Sequence, residues 1–322
     1  MKYKYSLFLI LFFIISNFLL AQTTYSKIRF MPHWLPQSQF AGYYIAQQKG
    51  FYQQEGIEVE IIHPSASVEG SEYLIEGKVD IISFFLVSAL TEVNKGTQMV
   101  NIAQLSQNSA LLFVAKKEKN FKSLNDLNGK KIGIWESGFD ELPKSLLEKK
   151  KMNVKWVPIL SSISMFMLDG IDAMTVMWYN EYDQIINAGF NPDELTTFFF
   201  SNYGYNIPED GLYCLSKTYQ TRKDDLQKFV KATLKGWEYA RSHPEEALKI
   251  VLEVMKKEHI STNYAHQKWM LEKVLDLMIP SAPNARKGVL YETDFIKAQD
   301  ALLDGGFVTR KIPYKDFYKP VL

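Results

Sequence analysis

The feature that most constrains the fold is an alternation of short strand-type segments with segments of helical composition. Residues 57–62 alternate apolar side chains with Glu58 and Glu60, which is the period-two pattern of a half-buried strand. Residues 171–178 are almost continuously apolar, as expected for a central strand of a parallel sheet. Because strands separated by helices pair in parallel through right-handed crossovers, we predict an α/β fold.

The chain becomes mostly helical from residue 221 onward. Leu226, Phe229, Val230 and Trp237 recur at helical spacing, with charged residues between them. No repeat, low-complexity tract or linker separates this end from the α/β part. About 300 residues remain if the N-terminal apolar segment is set aside, and a chain of this length usually divides into two domains.

The N-terminus has the composition of a secretory signal peptide. Lys2 and Lys4 precede an apolar stretch that extends to Leu20, and Ala21 is followed by polar residues. A basic start, a short apolar core and a small residue at the exit are typical of such signals. We therefore predict a signal peptide over residues 1–21 and a periplasmic location. The alternative is an uncleaved N-terminal anchor, although a membrane span needs about 20 apolar residues.

The charges of the chain are balanced. It contains 37 basic and 36 acidic residues, and the predicted signal peptide removes two lysines and no acid. Nucleic-acid-binding proteins and proteins drawn to anionic membranes carry a clear basic excess. The sequence therefore argues against both kinds of partner.

Aromatic and acidic side chains collect at the predicted carboxyl ends of several strands. In open parallel sheets, ligands bind beyond these ends, where loops meet helix N-termini. Aromatic rings there would stack on a flat heteroaromatic ligand, and a carboxylate would accept a hydrogen bond from its amine. Glu136 and Glu181 are the candidates for that carboxylate. The predicted ligand-binding residues are Trp34, Phe40, Tyr43, Phe84, Glu136, Trp178, Tyr179 and Glu181.

Several of these residues also have a purely structural interpretation. Trp34, close to Pro36, is equally compatible with a lid over the end of the sheet. Glu181 lies in the first turn of a predicted helix, where the helix dipole favours an acid without any ligand. Tyr43 would in this interpretation pack against a neighbouring helix. Both interpretations stay open on the sequence.

Patterns that carry catalysis are missing from the sequence. The five histidines form no His-Glu-x-x-His motif and have no cysteine partners for zinc. Neither a Gly-x-Ser-x-Gly elbow nor a phosphate-binding glycine loop occurs. Cys214, the single cysteine, lies in an apolar stretch and is predicted to be a small buried side chain. We therefore expect a binding protein with no enzymatic activity, no metal and no cofactor.

Four segments together resemble one family of solute-binding proteins. The opening segment contains Trp-x-Pro at residues 34–36, Phe-Ala-Gly-Tyr-Tyr-x-Ala at 40–46 and Gly-Phe-Tyr-x-x-Glu-Gly-Ile at 50–57. The later segments, which fit the same family in order, are residues 76–80, 124–133 and 178–182. This family contains the pyrimidine-precursor binders of bacterial ABC importers and the fungal thiamine-pyrimidine synthases.

The resemblance implies a two-lobed periplasmic-binding-protein fold of type II, with the ligand cleft between the lobes. Lobe 1 would comprise residues 22–115 and 214–322, and lobe 2 would comprise residues 116–213. Two crossover segments, residues 111–115 and 212–216, would connect them. Closure around a ligand would then be hinge motion at these connections.

The resemblance also implies a function. The chain would be the periplasmic solute-binding protein of an ABC importer and would bind a thiamine pyrimidine precursor, of the formylaminopyrimidine or hydroxymethylpyrimidine type. Its partners would be this small-molecule ligand and the permease and ATPase subunits, and it would act as a monomer. Two alternatives remain. One is a ligand-sensing protein that reports to a membrane receptor, and the other is a binder of another small heteroaromatic or sulfonate-type solute.

The enzymatic branch of the family is not matched. The fungal synthases resemble suicide enzymes that use a lysine for pyridoxal phosphate and a donor histidine. At the matching positions this chain has Phe84 and Ser88, which can neither form a Schiff base nor donate an imidazole. The cysteine-rich cluster of the synthases is also missing. Residues 37–40 (Gln-Ser-Gln-Phe) depart from the pyrimidine binders, which have an Asn-rich, His-containing stretch there.

Overall fold

The protein contains two β-sheets, each flanked by helices. The structure is a computed structural model, which describes residues 25–64, 70–135, 139–160, 162–279 and 287–322. The predicted signal peptide lies outside these residues. The first sheet has the strand order β2-β1-β3-β10-β4. Its strands are β1 (Ser26–Met31), β2 (Ile57–Ile61), β3 (Ile81–Phe85), β4 (Met99–Gln104) and β10 (Asp210–Leu215).

The second sheet has the strand order β7-β6-β8-β5-β9. Its strands are β5 (Leu111–Lys116), β6 (Lys131–Ile134), β7 (Lys155–Pro158), β8 (Ala173–Met177) and β9 (Leu195–Phe199). In each sheet one strand is antiparallel to both of its neighbours, β10 in the first and β5 in the second. The predicted α/β fold with two lobes is confirmed. Both sheets are therefore mixed. The antiparallel strand of each sheet, β5 or β10, is the strand that directly follows a crossing between the lobes.

The helices lie between and around the strands in the order that the sequence pattern predicts. The C-terminal helical end consists mainly of the helices between residues 223 and 304. The α-helices are α1 (Ala41–Gln48), α2 (Phe51–Gln54), α3 (Gly70–Ile75), α4 (Leu86–Lys95), α5 (Glu141–Lys149), α6 (Ser164–Met167), α7 (Glu181–Asn187), α8 (Ser216–Thr221), α9 (Lys223–Ser242), α10 (Pro244–Lys257), α11 (Tyr264–Met278), α12 (Glu292–Asp304) and α13 (Tyr314–Phe317).

The connections between the lobes differ from the predicted crossovers. Residues 111–115 belong to β5 inside the second sheet, and residues 212–215 belong to β10 inside the first. The segments that connect the two sheets are residues 105–110 and 200–209. The crossover prediction was therefore wrong by several residues, and the predicted lobe borders at 115/116 and 213/214 each cut a strand. An apolar stretch has the same composition in a sheet as in a connection, and only its pairing distinguishes the two.

Close packing of α9 on α1 fixes the position of α1, which follows the loop from β1 to the cleft between the lobes. A Cβ atom added at Gly236 of α9 would overlap the carbonyl oxygen of Gly42 in α1. A Cβ atom at Gly42 would overlap the ring of Trp237, which is fully buried. The absence of side chains at these two positions lets the helix backbones approach closely. The loop between β1 and α1 is thereby anchored at its C-terminal end.

Cys214 is fully buried in β10, as the sequence predicts. Burial raises the pKa of its thiol to about 12, so the reactive thiolate is not formed near neutral pH. Among the described residues, no helix combines the length and the apolar character that a membrane crossing requires.

Candidate ligand-binding cleft

Aromatic rings from both lobes meet where β1, β3 and β6 end. The rings of Trp34, which follows β1, and Phe139, which follows β6, lie 5.8 Å apart with an interplanar angle of 84°. Phe139 also contacts Phe85 at 5.3 Å and Trp135 at 5.9 Å. Edge-to-face contacts at these separations are favourable. We call these four residues the cleft aromatic cluster. Trp34, which is 38% exposed, forms its outer rim.

Two acids reach the same edge because β10 runs antiparallel to β3. Asp210 pairs with Phe85, so the amino end of β10 lies where β3 ends. Glu209 and Asp210 are buried there, and burial raises the pKa of both carboxyl groups. Glu209 accepts hydrogen bonds from the backbone N of Ala110 at 2.7 Å and from Ser109 Oγ at 3.0 Å. A search limited to the carboxyl ends of strands misses both acids.

Neutral polar side chains of the first lobe surround Asp210. Gln39 Nε2 donates to Asp210 Oδ2 at 3.1 Å, and Gln37 Nε2 donates to Gln39 Oε1 at 2.7 Å. His33 lies 2.9 Å from Ser83 Oγ through Nδ1. Desolvation lowers the pKa of His33 to about 3, so its ring is neutral near pH 7. The segment that departs from the pyrimidine binders, residues 37–40, thus supplies an amide partner for the buried acid.

Tyr179 and Glu181 lie in the second lobe, just after the end of β8. Burial raises the pKa of Tyr179, and three nearby carboxyl groups, including that of Glu181, raise it further. Glu181 Oε2 accepts from the backbone N of Met177 at 3.0 Å, and Oε1 accepts from the side chain of Asn180. Burial raises the pKa of Glu181 to about 8. Both oxygens of Glu181 are therefore engaged by its own strand-to-helix turn, which agrees with the structural interpretation of this residue.

Three predicted residues of the first lobe lie in or beside its core. Phe40 and Tyr43 are fully buried, and the Tyr43 ring lies 4.5 Å from that of Phe30. Phe84 is half-buried on β3. Successive side chains of a strand face opposite sides, and it is the neighbouring Phe85 that joins the cleft aromatic cluster. The position of a residue near a strand end does not by itself indicate which face it occupies.

Trp178 packs against the C-terminal helical region. Its ring lies 4.1 Å from that of Tyr182 and 5.5 Å from that of Trp269 in α11. Its carbonyl oxygen accepts a hydrogen bond from Trp269 Nε1 at 3.0 Å. Trp178 therefore connects the second lobe to α11. Glu136, the other predicted carboxylate, lies outside the described residues.

A small cavity lies between the lobes next to the cleft aromatic cluster. Two of its walls are buried acids, Glu141 at the start of α5 and Glu209. Its volume is about 20 Å³, room for about one water molecule. Pockets that hold small molecules usually measure about 300–1,000 Å³, so a ligand requires the lobes to separate. The cavity is lined by Phe85, Val87, Leu111, Phe139, Glu141, Leu142, Met177, Pro208 and Glu209.

Helix α11 bridges the two lobes at the other end of the cleft. Its Gln267 accepts from the backbone N of Ser38 in the first lobe at 2.7 Å. Its His266 lies 2.7 Å from Asp183 Oδ2 and 3.1 Å from Asn180 Oδ1 in the second lobe. Within the described ranges, no group of three or more His, Cys, Asp or Glu side chains is arranged to hold a metal ion.

Comparison with known proteins identifies the family. Residues 37–247, about two thirds of the chain, match the family model described as NMT1/THI5 like. The chain belongs to the NMT1/THI5-like family. The resemblance seen in the sequence is thus confirmed, and the matched residues include residues 37–40 before α1, both crossings between the lobes and all of α9.

Two relatives of this family member are named for thiamine biosynthesis and for the binding of formylaminopyrimidine. A thiamine biosynthesis protein of Haemophilus influenzae is 30% identical over 227 residues, covering 69% of this chain and 71% of the relative. The formylaminopyrimidine-binding protein of Halalkalibacterium halodurans is 23% identical over 236 residues, covering 70% of this chain and 69% of the relative.

The fold of this family member is that of periplasmic binding proteins. The periplasmic aliphatic sulphonate binding protein SsuA from Escherichia coli superposes with a TM-score of 0.69. The superposition covers 90% of this chain and 96% of SsuA at 14% identity. At this identity the likeness concerns the fold and not the ligand.

Proposed function

We propose that this protein is the solute-binding component of an ABC importer and that it binds a thiamine pyrimidine precursor of the formylaminopyrimidine or hydroxymethylpyrimidine type. The observation that carries the proposal is the pairing of the cleft aromatic cluster with buried carboxyl groups between the lobes. Aromatic faces suit a flat ring, and carboxyl groups suit its amine. The name of the Halalkalibacterium relative supports the same ligand class.

The charge of the cleft favours an amine-bearing ligand over a sulfonate. None of the nine residues that line the interlobe cavity is basic, and two are acids, Glu141 and Glu209. A buried anion needs a positive or hydrogen-bond-donating partner, and carboxyl groups at close range repel it. A sulfonate would therefore bind poorly against this wall, although SsuA has the same fold.

Binding without chemistry is part of the proposal. The position that matches the pyridoxal-phosphate lysine of the synthases is Phe84, which is half-buried, and the position of the donor histidine is Ser88. Ser88 Oγ donates to Glu141 Oε1 at 3.4 Å and so contributes to the contact between the lobes. We propose that the protein acts in the periplasm, as a monomer, and passes its ligand to the permease and ATPase subunits.

Calorimetry with the purified chain from residue 22 onward tests the proposed ligand class. We expect formylaminopyrimidine or hydroxymethylpyrimidine to bind with a dissociation constant of about 1 μM or tighter. A short alkanesulfonate at the same concentrations is the control, and we expect no measurable heat from it. Tighter binding of the sulfonate than of either pyrimidine would contradict the proposal. Mass spectrometry of small molecules released on denaturation identifies any ligand that purifies with the protein.

A further inference from the structure

One carboxyl oxygen in the interlobe cavity has no hydrogen-bond partner among the described residues. It is Oε2 of Glu141, a residue that is only 4% exposed. The other oxygen, Oε1, accepts from Ser88 Oγ in the opposite lobe at 3.4 Å. Leaving a buried polar atom unpaired costs free energy, so each such atom in a folded protein calls for an explanation.

The surroundings of Glu141 suit the edge of a flat ring. Phe85, Phe139 and Leu142 line the same cavity, and the second acid, Glu209, completes it from the crossover side. Phe139 connects this cavity to Trp34 at the rim of the cleft. A ring that entered when the lobes open would lie among aromatic side chains with a free acceptor at its edge.

We propose that Glu141 is a ligand contact, whose Oε2 accepts a hydrogen bond from the ring amino group and selects amine-bearing rings over their carbonyl analogues. This inference rests on the proposed function, because it assumes a heteroaromatic amine between the lobes. A carbonyl oxygen at the same ring position would face Oε2 of the ionised carboxyl group and leave both atoms unpaired, and it could pair only with the protonated form of Glu141. The preference for the amine is thus a consequence of the unpaired oxygen.

Glu141 fits this role better than Glu181, which the sequence favoured, and better than Glu209. Both oxygens of Glu181 accept hydrogen bonds from its own strand-to-helix turn. Glu209 Oε1 is engaged by Ala110 and Ser109. Burial also raises the pKa of Glu141 to about 7, so both protonation states are accessible near neutral pH and a bound amine would favour the ionised one.

The test compares two ligands on two variants of the mature chain by calorimetry. The ligands are hydroxymethylpyrimidine and the analogue in which a carbonyl replaces its ring amino group. In Glu141→Gln we expect at least about ten-fold weaker binding of the amine and equal or tighter binding of the carbonyl analogue. Glu148→Gln is the matched control, because Glu148 lies on the same helix with its side chain exposed. It should keep the affinities of the unmodified protein.

A second variant separates a ligand contact from a purely structural contact between the lobes. Ser88→Ala removes the hydrogen bond to Glu141 and leaves the carboxyl group in place. If Glu141 contacts the ligand, Ser88→Ala retains the preference for the amine, whatever happens to the absolute affinity. The ligand preference of Ser88→Ala also tests the proposal if Glu141→Gln does not fold. Loss of the preference in Ser88→Ala would show that the contact between the lobes matters instead, and would overturn the proposal.

The remaining outcomes distinguish this inference from the proposed function. If Glu141→Gln keeps the affinity and the amine preference of the unmodified protein, the contact is overturned and the proposed function stands. Equal weakening of both ligands in Glu141→Gln would likewise assign Glu141 to lobe closure. If the unmodified protein binds neither pyrimidine, the proposed function and the contact both fail.

Discussion

At the scale of single residues, Trp34 differs from the other members of the cleft aromatic cluster in its exposure. It is 38% exposed, whereas Phe85 is buried and Phe139 lines the interlobe cavity. Its ring reaches Phe139 across the gap between the lobes. The sequence left Trp34 equally compatible with a lid and with a ligand contact. A ring at the rim is compatible with both descriptions, because it can cover a ligand and stack on it, so the ligand contact stays a prediction.

We expect Trp34→Ala to weaken binding of the pyrimidine ligand by about ten-fold. Loss of one aromatic contact costs about 0.5–1.5 kcal/mol beyond area burial, and a factor of ten corresponds to about 1.4 kcal/mol. Calorimetry measures the effect. Tyr291→Ala is the control, since Tyr291 is an aromatic side chain of similar exposure, 40%, on the C-terminal helical region. An unchanged affinity in Trp34→Ala would leave this residue with a structural role alone.

At the scale of elements, α11 contacts both lobes through consecutive turns. Gln267 binds the backbone before α1, whereas His266 and Trp269 bind the second lobe through Asp183 and the carbonyl of Trp178. Because the cavity is too small for a pyrimidine, ligand entry requires some of these contacts to break. The closed arrangement is therefore stabilised by α11 independently of any ligand.

We expect His266→Ala to shift the ligand-free protein toward the open arrangement. The substitution removes the His266 contact to Asp183 Oδ2 and leaves Asn187 as the partner of this oxygen, so the buried acid is better solvated when the lobes separate. Small-angle X-ray scattering should show a larger radius of gyration than for the unmodified chain, and ligand affinity should fall by several-fold. His243→Ala, which changes an exposed histidine of the first lobe, should leave both values unchanged. An unchanged radius in His266→Ala would contradict a closing role for α11.

At the scale of the whole molecule, four of the described acids are buried in surroundings that disfavour their ionised form. They are Glu141, Glu181, Glu209 and Asp210, and burial raises the pKa of each. In the unfolded chain these groups ionise near their ordinary pKa of about 4, so the folded form binds more protons between that pH and its raised pKa. The free energy of unfolding therefore decreases as pH rises through this window. Ligand selection and stability are opposed here, because the acids that would bind an amine destabilise the empty protein.

We expect the melting temperature of the ligand-free protein to fall by several degrees between pH 6.5 and pH 8.5. Burial also lowers the pKa of His33 and His63. These two histidines therefore increase the free energy of unfolding as pH rises toward their ordinary pKa of 6.5. Above that pH the contribution of these histidines is nearly complete, and the four acids dominate the change in stability. Differential scanning calorimetry measures the trend, and Glu141→Gln should make it shallower. A melting temperature that is constant or rises over this range would contradict the prediction.

Much of the fold and part of the site could be predicted from the sequence. The strand and helix order, the two-lobed α/β class and the burial of Cys214 follow from local periodicity and composition, which are properties of neighbouring residues. The rule for carboxyl ends of parallel strands selected Trp34, Tyr179 and Glu181, and their role as ligand contacts stays a prediction. It also suggested Phe40 and Tyr43, which the structure places in the core of the first lobe.

The tertiary structure decided what local patterns do not contain. The amino-acid sequence by itself determined which segments form strands and helices, because that choice depends on residues a few positions apart. Only the tertiary structure decided that β10 runs antiparallel to β3 and brings Asp210 beside Phe85, more than one hundred positions away in the chain. It likewise decided that Glu141 faces the cavity with one oxygen unpaired and that His266 joins the lobes. These contacts depend on pairing direction and packing between distant segments, which no local pattern encodes.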